Sequence, residues 1–279
     1  MNASAIVSDR AKGIIKSYAG RILFGSDWHV GLLSNTAVIA AFHRVDDDIP
    51  QDGLTCGVKE FEQYCQFFSD HFHVVPLMDI IERLQSGGKL GCCLAITFDD
   101  GYLDNYTNAR LILKRLNLPA TFFVTTNFIG SDAVAPWDQH RPRPWMTWEH
   151  VRTMKQDGFD IGAHSRSHAD LGIVSGEQAW DEIHGSKVDL EEELGTPVKL
   201  FANPFGGLKH ITEDNQLLIQ RAGFISSCSS HGGVIVPGTN PIMLCRTPIN
   251  SWFSSPYHFG IDMVLEALRA KRQNSARSF

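Results

Sequence analysis

The stretch Leu94-Ala-Ile-Thr-Phe-Asp-Asp-Gly101 is an apolar run that stops abruptly at two adjacent carboxylates and a glycine. A short apolar run bounded by a turn residue is what a strand buried in a parallel sheet looks like. Neighbouring carboxylates repel each other and resist desolvation, so stability alone does not call for them at the end of such a strand. A cation would resolve the conflict. Consecutive strand residues point to opposite faces, but at an end that turns through Gly101 both carboxylates can reach one site, one binding metal while the other handles protons. The competing reading is that Asp99 or Asp100 caps the helix that follows, since aspartate is a preferred N-cap.

Some sixty residues further on, Phe159-Asp-Ile-Gly-Ala-His-Ser-Arg-Ser-His168 is a second apolar run, and it leads into two histidines four residues apart. On a helical turn or a tight loop that spacing puts both imidazoles on one side, where two nitrogens can meet one ion. Asp100, His164 and His168 then form a three-ligand set with positions left for water and substrate, which marks a catalytic metal. Zinc suits these ligands; cobalt, nickel and iron also fit, because ligand identity alone does not select among them. A cation so held lowers the pKa of water and polarises an acyl oxygen, so hydrolysis is the expected chemistry.

Around these two stretches, apolar runs alternate with helical patterns, the rhythm of strand-helix units on a parallel sheet or barrel. Strands are expected at 37–43, 94–98, 120–125, 160–164, 199–203, 224–228 and 243–248, about seven in all. Helices are expected at 61–68, 78–85, 106–116, 148–157, 176–194 and 213–223, with Thr147 as the N-cap of the fourth. Gly130 to Trp145 holds Pro136, Pro142 and Pro144 and reads as a long loop, of a length that is often functional. The sequence therefore predicts an α/β fold with an N-terminal helical extension over 1–35, one domain over 36–270 and a disordered tail over 271–279.

A chain of 279 residues, 43% of them hydrophobic, can bury one large core. Its formal net charge of -6 carries no basic excess that would gather nucleic-acid phosphates. None of the six cysteines has CxxC spacing, and Cys92 and Cys93 open an apolar run, so free buried thiols and a reducing compartment are expected. No apolar segment has the length of a signal peptide core or a spanning helix, and a cytoplasmic location is expected. Residues 11–24 set Ile14, Ile15, Tyr18 and Ile22 beside Lys12, Lys16 and Arg21. They read as a helix packed on the domain, with weak peripheral membrane contact as the alternative.

The Thr97-Phe-Asp-Asp-Gly101 and His164-Ser-Arg-Ser-His168 motifs, with the spacing between them, resemble the polysaccharide deacetylase family, also called NodB-homology or carbohydrate esterase family four. The resemblance runs from about His43 to Pro248, and the joint presence of the two motifs is highly specific. It implies a distorted (β/α) barrel with about seven parallel strands. It further implies that Asp99 is the general base and that Asp100, His164 and His168 hold the metal. The N–H of Tyr102 would face the oxyanion formed when water attacks an acetamide carbonyl. Phe42-His43-Arg44-Val45 is similar to a first-strand segment that brings a histidine near the pocket, with a structural histidine at a strand end as the alternative. Met146-Thr-Trp148 is similar to the stretch before the histidine motif, where the tryptophan is either a pocket wall or part of the core. Phe201-Ala-Asn203-Pro204-Phe205-Gly206 matches a motif that forms one wall of the groove.

The chain departs from the family pattern in two places. Ala202 stands where many members carry an arginine that orients the base, which points to a subgroup with an FAxPFG-type segment, often associated with extracellular or capsular polysaccharide assembly. Arg246 resembles that subgroup's late-strand arginine and is expected to bind substrate or pair with a site carboxylate. The leucine-containing motif that usually supplies a histidine as general acid has no clean counterpart; His231, His258 and His210 are the candidates. The resemblance implies a metal-dependent N-deacetylase acting on GlcNAc-type sugars in a polysaccharide, oligosaccharide or glycolipid intermediate. The alternatives are a metal-dependent hydrolase of a non-sugar amide and a catalytically silent carbohydrate-binding relative.

Overall fold

The computed structural model describes residues 3–48 and 52–277. In chain order its strands are β1 (Ala37–Phe42), β2 (Arg44–Val45), β3 (Thr55–Cys56), β4 (His73–Val74), β5 (Cys93–Phe98), β6 (Thr121–Val124), β7 (Asp160–Ala163), β8 (Leu200–Ala202), β9 (Ser226–Cys228) and β10 (Thr247–Pro248). Seven of them follow the path β10-β1-β5-β6-β7-β8-β9, every pairing parallel. These are the seven anticipated from the sequence. β4 joins the first residues of β5, and β2 pairs with β3 separately. A parallel bridge from Cys228 to Leu244 links β9 to the segment entering β10, so the curled sheet makes a distorted (β/α) barrel.

β5 shows why these runs become interior strands. All six of its residues are buried, and alternate side chains enter two different cores. Leu94, Ile96 and Phe98 face the helical layer, where Phe98 stacks between Phe42 and Phe122. Cys93 and Ala95 face the interior with Ala37, Ala202, Cys228 and Phe123. A strand buried on both faces reads as continuous apolar sequence, which is why periodicity could locate it without orienting it.

The helices are α1 (Ala3–Gly25), α2 (Trp28–Leu32), α3 (Val58–His71), α4 (Leu77–Ser86), α5 (Arg110–Arg115), α6 (Trp148–Gln156), α7 (Gly176–Trp180), α8 (Ser186–Leu194), α9 (Glu213–Arg221) and α10 (Pro256–Arg277). Thr147 caps α6, its hydroxyl accepting from the His150 N–H. The segment expected as one helix over 176–194 contains a π-helical turn, Asp181–Gly185, between α7 and α8. α10 is not among the helices that periodicity marks, and it extends past the boundary drawn at residue 271. Ser278 and Phe279, the end of the expected tail, lie outside the described residues.

α10 finds its partner in α1. Gly20 lets the backbones approach so closely that an added Cβ would lie 2.2 Å from the Tyr257 carbonyl oxygen. Lys16 pairs with Asp262 at 2.7 Å. The opposite face of α1 leaves Ile14, Ile15, Tyr18 and Ile22 exposed. Among the described residues no helix is long and apolar enough to cross a membrane, and all six cysteines are free.

Candidate metal and catalytic centre

The C-terminal ends of β5, β7 and β8 converge on one cavity of about 360 Å³. The three residues expected to hold metal meet there. His164 Nε2 lies 3.4 Å and His168 Nε2 3.5 Å from Asp100 Oδ1. Two donors about 2.1 Å from a common tetrahedral ion would be roughly 3.4 Å apart. Asp100 Oδ1 is buried and has no hydrogen-bond partner among the described residues, so a ligand atom faces the shared point unsatisfied. His164 Nδ1 lies 2.9 Å from the carbonyl oxygen of Ala202. Donation to that carbonyl fixes the tautomer that leaves Nε2 free to bind. The residues therefore fit a divalent metal.

Charge within the cluster supports that fit. Burial pushes the Asp100 carboxyl up, but the adjacent His164 and His168 imidazoles outweigh it and hold the acid well below the usual carboxylate range. Burial pushes His168 down to about 4, so its imidazole is neutral at neutral pH, the form that binds metal. His164 moves the other way: burial pushes it down, but Asp99 and Asp100 together raise it above its ordinary value. A field that attracts a proton to His164 also attracts a cation.

The backbone is strained where the ligands are placed. Of the seven non-glycine residues with positive φ among the described residues, Asp100, Ser165, His168 and Phe205 belong to the segments that build this site. Such conformations cost about 1–3 kcal/mol each and persist only where the surroundings impose them. The imposing groups are visible. Glu182 Oε2 accepts the N–H of Arg166 at 3.0 Å and that of Ser167 at 2.9 Å, and Asp189 holds the Arg166 guanidinium. Gly101, at φ 94°, has no room for a Cβ, which would lie 2.8 Å from Ile129.

Asp99 lies on the other side of the cavity floor. Neither it nor Asp100 caps a helix. Both Asp99 oxygens accept from Arg246, Nη1 to Oδ1 at 2.7 Å and Nη2 to Oδ2 at 2.6 Å. Arg246 Nε donates to the Ser229 carbonyl, and its guanidinium lies 5.2 Å from the centre of the Phe123 ring. Burial pushes Asp99 up, but the Arg246 charge and hydrogen bonds bring it below its ordinary value. The contact that an arginine at position 202 would have made thus comes from the segment leading into β10.

Above this floor stands an aromatic wall. Trp137 packs 4.4 Å and Phe205 4.7 Å from the His168 ring. Trp137 Nε1 donates to the Tyr102 hydroxyl at 2.7 Å, and that hydroxyl donates to Asp138 at 2.6 Å. Asp138 also accepts from Arg44 at 2.5 Å. Asp138 and Arg44 are buried, and burial pushes the Tyr102 hydroxyl up, so this chain stays hydrogen-bonded and neutral at the phenol.

The cavity brings together Asp99, Asp100, His164, His168, His43, Asn203 and Phe205 from the expected set. It does not include four others expected to contact substrate. Arg246 is fully buried beneath Asp99. The Tyr102 side chain is fully buried and points to Asp138, leaving only its backbone N–H for the assigned role. Pro204 is buried, and Trp148 packs on the main hydrophobic core at the start of α6. Of the proposed proton donors, His231 borders a separate small cavity, His258 is buried between Ser254 and Asp262, and His210 pairs with Asp170 at 2.8 Å. His43 lines the cavity with Nε2 3.9 Å from Asp99 Oδ2. Sequence reasoning missed Asp138, Glu182 and Asp189, which carry no local signal because their partners are distant in the chain.

Residues 88–224 match the family model described as polysaccharide deacetylase. YxkH of Bacillus subtilis is 28% identical over 170 residues, 60% of this chain and 56% of that protein. The peptidoglycan-N-acetylmuramic acid deacetylase PdaA of Bacillus subtilis is 29% identical over 114 residues, 40% of this chain and 38% of the relative. The match thus spans about half or less of the length of these relatives. The structure of the deacetylase PplD from Streptococcus pyogenes superposes with a TM-score of 0.70 at 20% identity, over 82% of this chain and 98% of that one, and shares the fold.

Proposed function

We propose, from the premise that this chain carries a polysaccharide deacetylase domain, that it hydrolyses N-acetyl groups on GlcNAc-type sugars of a polysaccharide, oligosaccharide or glycolipid intermediate. The observation that carries this reading is the meeting, in one cavity, of an arginine-held carboxylate with three metal-ligating side chains. A divalent metal bound by Asp100, His164 and His168, zinc first and cobalt, nickel or iron as alternatives, would supply Lewis-acid polarisation of the acetamide carbonyl.

The remaining work falls to the protein's own groups. Asp99, kept ionised by Arg246, takes a proton from the attacking water as its oxygen bonds to the carbonyl carbon. The Tyr102 N–H, beside the catalytic aspartates, donates to the oxygen that becomes negative in the tetrahedral intermediate. His43 is the histidine outside the ligand set that lines the cavity, and it hands a proton to the nitrogen as the C–N bond breaks. Acetate leaves and the sugar retains a free amine. Trp137 and Phe205 offer apolar faces to the ring of the sugar.

The test is acetate release from N-acetylated chitooligosaccharides and poly-N-acetylglucosamine by metal-loaded and chelator-treated protein, with bound metal counted in parallel. Release that tracks one metal per chain supports the proposal. A stoichiometric metal without release from any sugar would redirect it to a non-sugar amide; absence of metal binding would end the catalytic reading.

A further inference from the structure

Outside the residues that match the family model, the chain builds a second, larger cleft. It measures about 1250 Å³ and is walled by α1, the start of α3 and the turn at 250–256 that leads into α10. Gly53 and Asn250 border both this cleft and the catalytic cavity, so the two spaces meet. Its lining mixes amide, hydroxyl and charged side chains, including Gln63, Ser251 and Lys59, with the aromatic side chains of Phe253 and Trp252, and Trp252 has 61% of its surface exposed.

A singly exposed tryptophan on a loop needs no explanation by itself. The backbone of the turn that carries this one is held in place. Asn250 Oδ1 accepts the Trp252 N–H at 2.9 Å, and its carbonyl accepts the Phe253 N–H at 3.2 Å. On one side of the turn the Ile249 N–H is tied to Ala41 of β1; on the other the Phe253 ring is buried. The turn therefore places the exposed Trp252 ring in a cleft that adjoins the catalytic cavity. An aromatic face bordered by hydroxyl and amide groups matches a pyranose, which offers C–H bonds on one face and hydroxyls around its rim.

We propose that this cleft is an accessory subsite for the continuing chain of an extended N-acetylated glycan, with Trp252 as its stacking platform. It rests on the deacetylase reading and makes the substrate a polymer or long oligosaccharide that crosses from the catalytic cavity past Asn250 onto α1. A single N-acetylated sugar would fill only the smaller cavity.

Affinity of the full chain for N-acetylchitooligosaccharides of one to six units, measured by calorimetry with chelator present so that nothing is turned over, tests the subsite directly. Affinity should climb with length, and in Trp252→Ala the gain of hexamer over dimer should shrink by about tenfold. Trp252→Phe, which keeps a ring on the same turn, should restore most of the gain. Affinity independent of length, or a length gain that survives Trp252→Ala, overturns the proposal. Acetate release run alongside separates the two claims: a Trp252-dependent length gain without acetate counts against deacetylation and leaves the subsite standing.

Discussion

The floor and the wall of the catalytic cavity are built on different principles. The floor is ionic, assembled from strand ends whose side chains hold one another at fixed distances: Arg246 on Asp99, and two imidazoles around Asp100. The wall is aromatic, assembled from the 130–145 loop and the turn after β8, and kept in place by hydrogen bonds running from Arg44 through Asp138 and Tyr102 to Trp137. A floor of this kind sets which bond can be broken. A wall of this kind sets what fits over it, and it can vary without disturbing the chemistry below.

If that division is right, changes in the floor should cost turnover and changes in the wall should cost substrate binding. The largest effect is expected from Asp99→Asn, which keeps the size of the side chain but removes the base. Acetate release should drop on the order of 10³-fold with bound metal retained. Metal loss in that variant would mean the two halves of the floor are not separable.

Arg246→Met should come next. Breaking a buried ion pair leaves an unpaired carboxylate and costs about 3–5 kcal/mol, measurable by denaturant unfolding. Because Arg246 holds Asp99 below its ordinary pKa of 3.8, the stabilisation is present above that value and is lost as pH falls through the lowered folded pKa. The gap between wild type and variant should therefore be widest near neutrality and close in acid, while the acidic limb of the pH-rate profile moves upward. A gap independent of pH would show that packing rather than charge is what Arg246 contributes.

In the wall, Trp137→Phe keeps a ring against His168 and removes the N–H that donates to Tyr102. One neutral hydrogen bond is worth about 0.5–1.5 kcal/mol, so KM should rise about 2- to 10-fold with little change in kcat. A fall in kcat of the same size would mean that the wall positions His168 as well as substrate.

The smallest effect tests the base of the wall. Asp104, next to Asn105 and bonded to the Val45 N–H, is pushed up to about 6, burial being the main cause. A raised acid contributes stability below its ordinary value of 3.8 and loses it as pH rises through about 6. Asp104→Asn should thus be better tolerated at pH 8 than at pH 4, seen as a difference of a few degrees in Tm between the two conditions. An equal Tm change at both pH values would place the cost in the hydrogen bond alone.

The sequence by itself located the seven strands along the chain, singled out Asp99, Asp100, His164 and His168 for one site and pointed to the family, because each is written in consecutive residues: an apolar run that ends in a carboxylate pair, or two histidines one loop apart. It also marked 130–145 as a loop and Thr147 as a cap. Tertiary structure decided what lies under and around those residues. Arg246 is a buried partner of Asp99, His43 lies 3.9 Å from Asp99 while His231, His258 and His210 lie outside the catalytic cavity, and α10 is a helix packed against α1. Strand and motif signals come from neighbours along the chain. The partners of Asp99, Asp138 and α1 are about 35 to 250 residues away, and only closure of the sheet brings them within reach.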